Sequence, residues 1–414
     1  MIFMSDSIFD AIVVGGGAAG MMAAITAAED GARVLILEKN DRPCRKLYIT
    51  GKGRCNVTND CTWQECLENI PTNPKFLYAA MQAFPPSATM EFFERLDCPL
   101  KVERGHRVFP VSDQAASVID ALRRRSRELG IALKPEAVRG ILLQDGCVCG
   151  AETAQGTYSA PAVLLATGGA SYPRTGSTGD GYAMAAALGH TVVPPTGSLV
   201  PLTADGCEPL AGLGLRNVAV TLLNEKGKAI YNDFGEAEFT EFGLTGPTIL
   251  SASAHMGRKS GFVIEFDLKP ALEEEKLDAR LLRDLQKYRN CPMATALTEL
   301  FPRQLIVPLL EKAEISEELP ANSLTREARR RLLHTTKHLT FPITGKRPVE
   351  EAIVTSGGVK VSEVDPKTMG SKLVDGLFFA GELLDLDAYT GGFNLQIAWA
   401  TGHAAGLALS AYGK

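Results

Sequence analysis

Hydrophobic and polar positions set out the chain's opening clearly. The run Ala11-Ile12-Val13-Val14 is apolar and is followed at once by Gly15-Gly16-Gly17, so it reads as a short buried strand. A Pro-free stretch rich in Ala and Met follows, with small and apolar residues at helical spacing up to Gly31. Then Arg33-Val34-Leu35-Ile36-Leu37-Glu38 is β-branched and apolar again. The pattern predicts a strand–helix–strand unit. Helical periodicity returns over 76–96 and 115–129. Strand patterns occupy 131–133 and 137–143, the latter ending at a Gln144-Asp145-Gly146 turn, and continue at 147–153, 156–159 and 162–166. The last of these opens into Thr167-Gly168-Gly169, another strand end running into glycines.

Pro194-Pro195 reads as a boundary. Beyond it the pattern is short strands and turns as far as Pro270, including a hairpin signal at Glu225-Lys226-Gly227 and a strand over 262–268. From 271 to about 338 the periodicity is helical, with amphipathic runs at 277–288, 293–300, 305–312 and 325–334. Arg326, Arg329, Arg330 and Arg331 there read as a solvated helix face. Strands return near 339–343 and 351–355. Late in the chain, Gly376 to Glu382 is a strand ending in Gly and an acid. Asp385, Asp387 and Tyr389-Thr390-Gly391-Gly392-Phe393-Asn394 follow, and then a helix over 395–410. The expected organisation is a first domain at 1–193, a β domain at 194–270, a helical insertion at 271–337, return strands at 338–353, and a last segment at 354–414 that rejoins the first domain.

Gly15, Gly17 and Gly20 stand at G-x-G-x-x-G spacing between strand and helix, with Glu38 about twenty residues on. In a dinucleotide fold, the first glycine permits the tight turn, the second lets a pyrophosphate approach, and the third brings helix and strand together. N–H groups at the helix start, from Ala18 and Ala19 onward, face the phosphates, and the acid binds ribose hydroxyls.

Composition narrows the partners. The chain has 414 residues, 45% hydrophobic and 22% charged, with a net charge of −5 and no long run of one sign. Neither nucleic acid nor an anionic membrane is expected, and no apolar stretch is long enough to span a bilayer. Residues 1–9 lack a basic leader pattern. Nine scattered cysteines suit reduced thiols in a cytoplasm.

The dinucleotide could be NAD(P), FAD or both. Gly176, Gly179 and Gly181 have the wrong spacing and follow no strand, so only one fingerprint is complete. One site fits permanently held FAD that meets NAD(P)H transiently. Gly381-Glu382 can bind the ribityl-phosphate side, and the helix after Gly392 can aim its N-terminus at the flavin, with Asn394 as an N-cap. Cys61 and Cys66 have a Cys-x4-Cys spacing, but a disulfide reductase would need a second fingerprint. Cys147 and Cys149 share a strand face. The six histidines show no metal-ligand spacing, since His334 and His338 lack a third ligand. His106 reads as a loop residue.

On these segments the chain resembles the YhiN/BaiN-like FAD flavoproteins, which include bile-acid-reductase-like and aminoacetone-oxidase-like members. The matching runs are 13–20, Arg45-Lys46-Leu47, 51–59, Phe109-Pro110-Val111-Ser112, 175–182, Phe242-Gly243-Leu244-Thr245-Gly246-Pro247, 355–359 and 381–394. Gly53-Arg54-Cys55-Asn56-Val57-Thr58-Asn59 and Tyr389 to Asn394 are specific to that group. The resemblance implies an α/β, Rossmann-like FAD-binding domain interrupted by a β-barrel-like domain that carries a helical insertion. It places the flavin between the Gly51–Asn56 loop and the Gly391–Asn394 turn, and Val138 at the adenine end. The expected cofactor set is Gly15, Gly17, Ala18, Ala19, Gly20, Glu38, Lys39, Arg45, Lys46, Gly51, Gly53, Arg54, Cys55, Asn56, Val138, Thr167, Gly168, Gly381, Glu382, Gly391, Gly392, Phe393 and Asn394. Cys44 stands where members often have Gly, and Glu241 where they often have His.

The implied activity is that of a FAD-dependent oxidoreductase. The favoured reaction is NAD(P)H-dependent reduction of a carbonyl-conjugated C=C bond in a steroid- or bile-acid-like enone. The alternatives are an oxidase of a small amine such as aminoacetone, releasing hydrogen peroxide, and a flavin-binding or redox-sensing protein without turnover. The expected pocket is lined by Tyr172, Arg174, Glu241 to Gly246, and Tyr389. Tyr389 or a buried Glu241 would be the proton donor.

Overall fold

The computed structural model describes residues 9–257 and 259–412. The leader reading at residues 1–8 lies outside them. The chain divides into two units. One runs to Ser198 and resumes at Val349, and the other is Leu199–Pro348.

In the first unit, the apolar runs become the strands of a parallel sheet. Among the described residues these are β1 (Ala11–Val14), β2 (Val34–Leu37), β3 (Ala132–Lys134), β4 (Ala162–Leu165) and β5 (Leu377–Phe379), in the spatial order β5-β4-β1-β2-β3. Every residue of β1, β2 and β4 is buried, because parallel strands are covered on both faces. The covering helices include α1 (Ala18–Glu29) and α3 (Phe393–Ala411); between them in sequence, α2 (Arg45–Ile49) is a single short turn. Most of α3 is buried, as expected of a helix apolar on all sides. It packs tightly on α1 at Gly402 and Gly406, where an added Cβ would stand 2.5 Å from Ala19 O and 2.6 Å from Ala23 O.

Smaller sheets complete this unit: 58–59, 107–110 and 100–103 form one, and 138–144, 147–153 and 157–159 another. Val192–Ser198 pairs antiparallel with Val354–Val359. Pro194 and Pro195, read as a domain boundary, lie within a strand, and the unit ends shortly after them at Ser198. The register shifts between Val193 and Thr196, and such a bulge tolerates missing N–H donors. The helical pattern at 76–96 is two helices, Tyr78–Ala83 and Pro86–Arg95. The break falls at Pro85, because a residue before proline is pushed out of the helical region.

The second unit is built on a barrel that closes, among the described residues, in the order 202–204, 243–245, 229–240, 214–223, 263–267 and 339–346. Phe239, Phe266 and Phe341 fill its interior with ring centroids 5.2–6.0 Å apart. The helices Glu274–Lys287, Met293–Ala296, Arg303–Lys312 and Arg326–Lys337 lie between its last two strands. Within the arginine cluster, Arg329 Nε reaches Asp278 at 2.6 Å and Arg331 donates to Ala313 O, while Arg326 and Arg330 are exposed.

Candidate active site

The turn between β1 and α1 assigns each glycine its task. Gly15 has φ +102°, and a Cβ there would lie 2.5 Å from Ala166 O. At Gly20 a Cβ would lie 2.0 Å from Gly15 O. Both positions are closed by protein atoms. At Gly17 a Cβ would meet nothing within 4 Å, which leaves its side open to a ligand. Gly17 caps α1 without any side-chain hydrogen bond, and the first turn holds no acid, so the helix start keeps its positive end for an anion. Glu38 is buried, with Oε2 accepting from Gly16 N at 2.7 Å and Oε1 from Asn40 N and Nδ2 at 2.9 and 2.7 Å. These bonds fix the carboxylate beside the glycine turn. Val138, expected at the adenine end, begins its strand and is buried.

Cys44 has φ +65° and donates its N–H to Gly16 O. Glycine is favoured in that left-handed region. Burial pushes the Cys44 thiol up to about 12, with Glu38 adding to the rise, so it stays a thiol. Arg45 reaches Asn40 Oδ1 at 3.0 Å, and Lys39 binds Thr178 and Asp180, each at 2.6 Å.

The second glycine segment is held in an uncommon conformation. Gly51, Lys52, Gly53 and Cys55 all have positive φ. Arg54 does not extend into open space. Its guanidinium grips Glu103 and Asp113 and stacks 4.1 Å over the Phe109 ring, anchoring the loop to its neighbouring hairpin. The Gly391-Gly392 turn lies against this region. Asn59 Nδ2 donates to Gly391 O at 3.1 Å, and a Cβ on Gly392 would meet Thr58 O at 2.4 Å. Thr58 Oγ1 and Thr89 Oγ1 both donate to Gln396 Oε1, and Trp399 Nε1 binds Val57 O. These bonds fix the N-terminal turns of α3 to the loop.

α3 starts at Phe393, with Gly392 at φ +101° as its cap. Asn394 is therefore not the cap. It lies inside the first turn, and its side chain reaches back to Ala388 N, Ala388 O and Tyr389 O at 2.9, 2.8 and 3.3 Å. It pins the preceding loop.

Glu382 is a junction. Lys46 Nζ donates to its Oε2 at 2.6 Å, while Thr355 N and Ser171 Oγ donate to its Oε1 at 2.8 and 3.1 Å. Burial alone would push this carboxyl up, but Lys46 and the other donors outweigh it and hold it below its ordinary range. Thr355 Oγ1 in turn accepts from Ala170 N and Ser171 N. Gly169, Gly176 and Gly181 all meet protein side chains where a Cβ would be. Gly168 has φ +75°, and Gly381 sits against Ala19.

Among the described residues, three buried side-chain oxygens on these loops lack a partner: Asn56 Oδ1, Thr167 Oγ1 and Asp387 Oδ1. Buried oxygens normally find donors. Together with the open side of Gly17 and the start of α1, whose cap makes no side-chain bond, they fit a ligand as rich in hydroxyls and phosphates as FAD.

Of the expected catalytic residues, Tyr389, Tyr172 and Arg174 belong to this unit and Glu241 to the other. Tyr389 is half-buried, and burial first, then Asp387, pushes its phenol up. Tyr172 has φ +54°, and Arg174 is exposed in the short 3-10 turn that follows. Glu241 is exposed at the turn between strands 229–240 and 243–245, not buried as the expected proton-donor role assumed. Sequence reading missed Asn40, Asn59, Ser171, Thr355 and Asp387 as site-building residues. Asp387 is 1% exposed and takes one bond, from Ser198 Oγ at 2.7 Å. Its position between Asp385 and the glycine turn was the available signal.

Residues 9–408 match the family described as HI0933-like protein Rossmann domain. The chain is 35% identical to the 3-dehydro-bile acid delta(4,6)-reductase of Clostridium scindens, covering 96% of this chain and 98% of that one. It is 28% identical to the ribosomal RNA dihydrouridine synthase of Escherichia coli, covering 95% and 96%. Among solved structures, the 3-ketosteroid delta1-dehydrogenase of Sterolibacterium denitrificans shares the fold with a TM-score of 0.52 at 14% identity, over 97% of this chain and 99% of that one.

Proposed function

The chain belongs to the HI0933-like Rossmann family and is a FAD-dependent oxidoreductase, and we propose that it saturates a carbon–carbon double bond conjugated to a carbonyl group. The observation that carries this reading is the half-buried Tyr389 phenol, a proton source at neutral pH, on the segment that leads into the Gly391-Gly392 turn. Saturating such a bond needs a hydride at one carbon and a proton at the other. Bound FAD supplies the hydride chemistry, with NAD(P)H as its transient electron donor. The chain supplies the rest. The α1 start would hold the pyrophosphate and Glu38 the ribose. Asn394 steadies the Tyr389 carbonyl, and Tyr389 holds the proton. The names of both relatives fit this chemistry. A delta(4,6)-reductase saturates ring double bonds, and a dihydrouridine synthase saturates a uracil ring, whose double bond is conjugated to a carbonyl. The bile-acid-like substrate is the first choice, on the higher identity. A uridine in RNA is the second, supported by full-length similarity to the synthase.

No described helix is long and apolar enough to cross a membrane. All nine cysteines are unpaired among the described residues, which supports a reducing, cytoplasmic setting. The deciding experiment mixes anaerobically reduced holoenzyme with a steroid enone, with uridine-containing RNA, and with air-saturated buffer. Reoxidation should be fastest with the enone. Rapid peroxide formation with no response to an enone or RNA would replace this reading with an amine oxidase. A response to RNA alone would promote the second substrate.

A further inference from the structure

The helix Trp63–Glu68 opens with a reciprocal cap. Thr62 Oγ1 accepts from Glu65 N at 3.2 Å, and Glu65 Oε2 accepts from Thr62 N at 2.8 Å. In such a box the residue before the cap packs on the fourth residue of the helix, commonly as a pair of hydrophobic side chains. Here those two residues are Cys61 and Cys66. The cap therefore seats two unbridged thiols side by side, and the Cys66 thiol hydrogen-bonds to the Cys61 sulfur. Cys66 is fully buried, whereas Cys61 is partly exposed.

The two sulfurs differ in character. The bond from Cys66 is the largest influence on Cys61 and holds its thiol below the ordinary range, against burial and the acids Glu65 and Asp60. The same bond, with burial, pushes the Cys66 thiol up. Fully buried Cys44 and Cys55, by contrast, are both pushed up to about 12 by burial. A thiolate within reach of solvent is the attacking group in disulfide exchange, and a neighbouring thiol resolves the product. The helix is also tied at both ends to the loop before α3. Cys61 N donates to Asn59 O, and Asn59 Nδ2 donates to Gly391 O at 3.1 Å. At the other end Asn69, whose Nδ2 binds Glu65 O, accepts from Tyr389 N at 3.0 Å.

We propose that Cys61 and Cys66 form a reversible thiol–disulfide couple, oxidised by a low-molecular-weight disulfide, and that closing the bridge loosens the Tyr389 amide from Asn69. Cys61 gives its proton to water, and its thiolate attacks one sulfur of the small disulfide. That S–S bond breaks, one small thiolate leaves and takes up a proton, and Cys61 carries a mixed disulfide. Cys66 then gives its proton to water and attacks the Cys61 sulfur, expelling the second small thiolate, which is protonated in turn. Two electrons pass from the protein thiols to the small disulfide, which departs as two thiols. Excess thiol runs the same steps backwards. The new S–S bond is about 2.05 Å long, shorter than any hydrogen-bonded sulfur contact. Cys61 and Cys66 must draw together, and the turn strung between Gly391 and Tyr389 shifts with them. The thiol chemistry stands apart from the enone reading; only an effect on turnover rests on it.

The test equilibrates FAD-loaded full-length protein in buffers of reduced and oxidised glutathione, then quenches it with an alkylating agent in denaturant. Intact mass and peptide mapping read the thiols. No enone is present, so the outcome is separate from the substrate reading. Wild type should pass from alkylated Cys61 and Cys66 to a single Cys61–Cys66 bridge, and return when reduced glutathione is in excess. Cys66→Ser should stop at a glutathione adduct on Cys61. Cys61→Ser should gain neither a bridge nor an adduct at Cys66. Hydrogen exchange at the Tyr389 amide should be about tenfold faster in bridged wild type and should not respond to glutathione in Cys61→Ser. Three results overturn the couple: Cys61 and Cys66 of wild type that stay alkylatable throughout, a bridge from Cys61 to another cysteine, or an adduct on Cys61 that Cys66 never displaces. Equal Tyr389 exchange in the reduced and bridged forms overturns the link to the loop.

Discussion

Lys46 Nζ lies 2.6 Å from Glu382 Oε2, although 336 residues of chain separate the two. The contact joins α2 to the strand end after β5, and Ser171 and Thr355 add their own bonds to the same carboxylate. With side chains only 24% and 19% exposed, this pair is shielded enough that losing one partner leaves a poorly solvated charge.

Lys46→Met should therefore destabilise the protein by about 3 kcal/mol, measured by denaturant unfolding. The pH dependence has a definite sign. The Glu382 carboxyl is held below its ordinary value, so its contribution is complete above about 4.3 and fades as pH falls through the depressed value. The gap between wild type and Lys46→Met should be constant near neutral pH and close in acid. A gap that widened in acid would contradict the pairing.

Gly17 and Gly20 are both part of the fingerprint, yet their substitutions should fail differently. A side chain at Gly17 meets no protein atom, so apo Gly17→Val should lose only about 1 kcal/mol through a poorer helix cap but purify without FAD. A methyl at Gly20 would stand 2.0 Å from Gly15 O. Gly20→Ala should cost about 3 kcal/mol by forcing helix and strand apart. Flavin content and apo melting, measured together, check both. Yellow Gly17→Val protein would refute the open-side assignment.

That contrast shows what a sequence can carry. The β1–α1–β2 unit was legible because its runs are apolar, uninterrupted and bounded by glycine, and Glu38 falls at the right distance. The hairpin around Glu225-Lys226-Gly227 was legible for similar local reasons: Asn224 Oδ1 accepts from Lys226 N and Lys228 N and closes the turn. Thr355 and Asp387 were not legible as site-builders, because their partners come from Ala170, Ser171 and Ser198, nearly two hundred residues away. Pro194-Pro195 pointed to a boundary, and the first unit ends shortly after them at Ser198, but the prolines do not interrupt the strand, because a bulged pairing with Val354–Val359 accommodates them. Asn394 misled. It is a good cap by type, but close packing of Gly392 on Thr58 moves the helix start upstream.

The corrected position of Asn394 changes what its loss should do. Asn394→Leu removes the bonds to Ala388 and Tyr389 and leaves the Gly392 cap in place. FAD content and flavin potential should stay near wild type. Turnover should fall about tenfold, because the loop carrying Tyr389 loosens. Potentiometry beside steady-state rates separates the outcomes; a lower potential at unchanged turnover would restore the capping role.

The sharpest expectation concerns Tyr389 and its neighbour Asp387. Tyr389→Phe should lower turnover about a hundredfold if the phenol delivers the proton, with FAD still bound. Burial raises that phenol first and Asp387 raises it further, so the alkaline limb of the rate profile should lie above the ordinary tyrosine value near 10. Asp387→Asn removes the second cause and keeps the first. The sign follows directly: with less negative charge nearby, the phenolate is less disfavoured, the phenol titrates at lower pH, and the alkaline limb moves down. Ser198 can still donate to the remaining amide oxygen, so the side chain keeps its one bond. An alkaline limb that stays in place in Asp387→Asn, or persists in Tyr389→Phe, would remove Tyr389 as the proton donor.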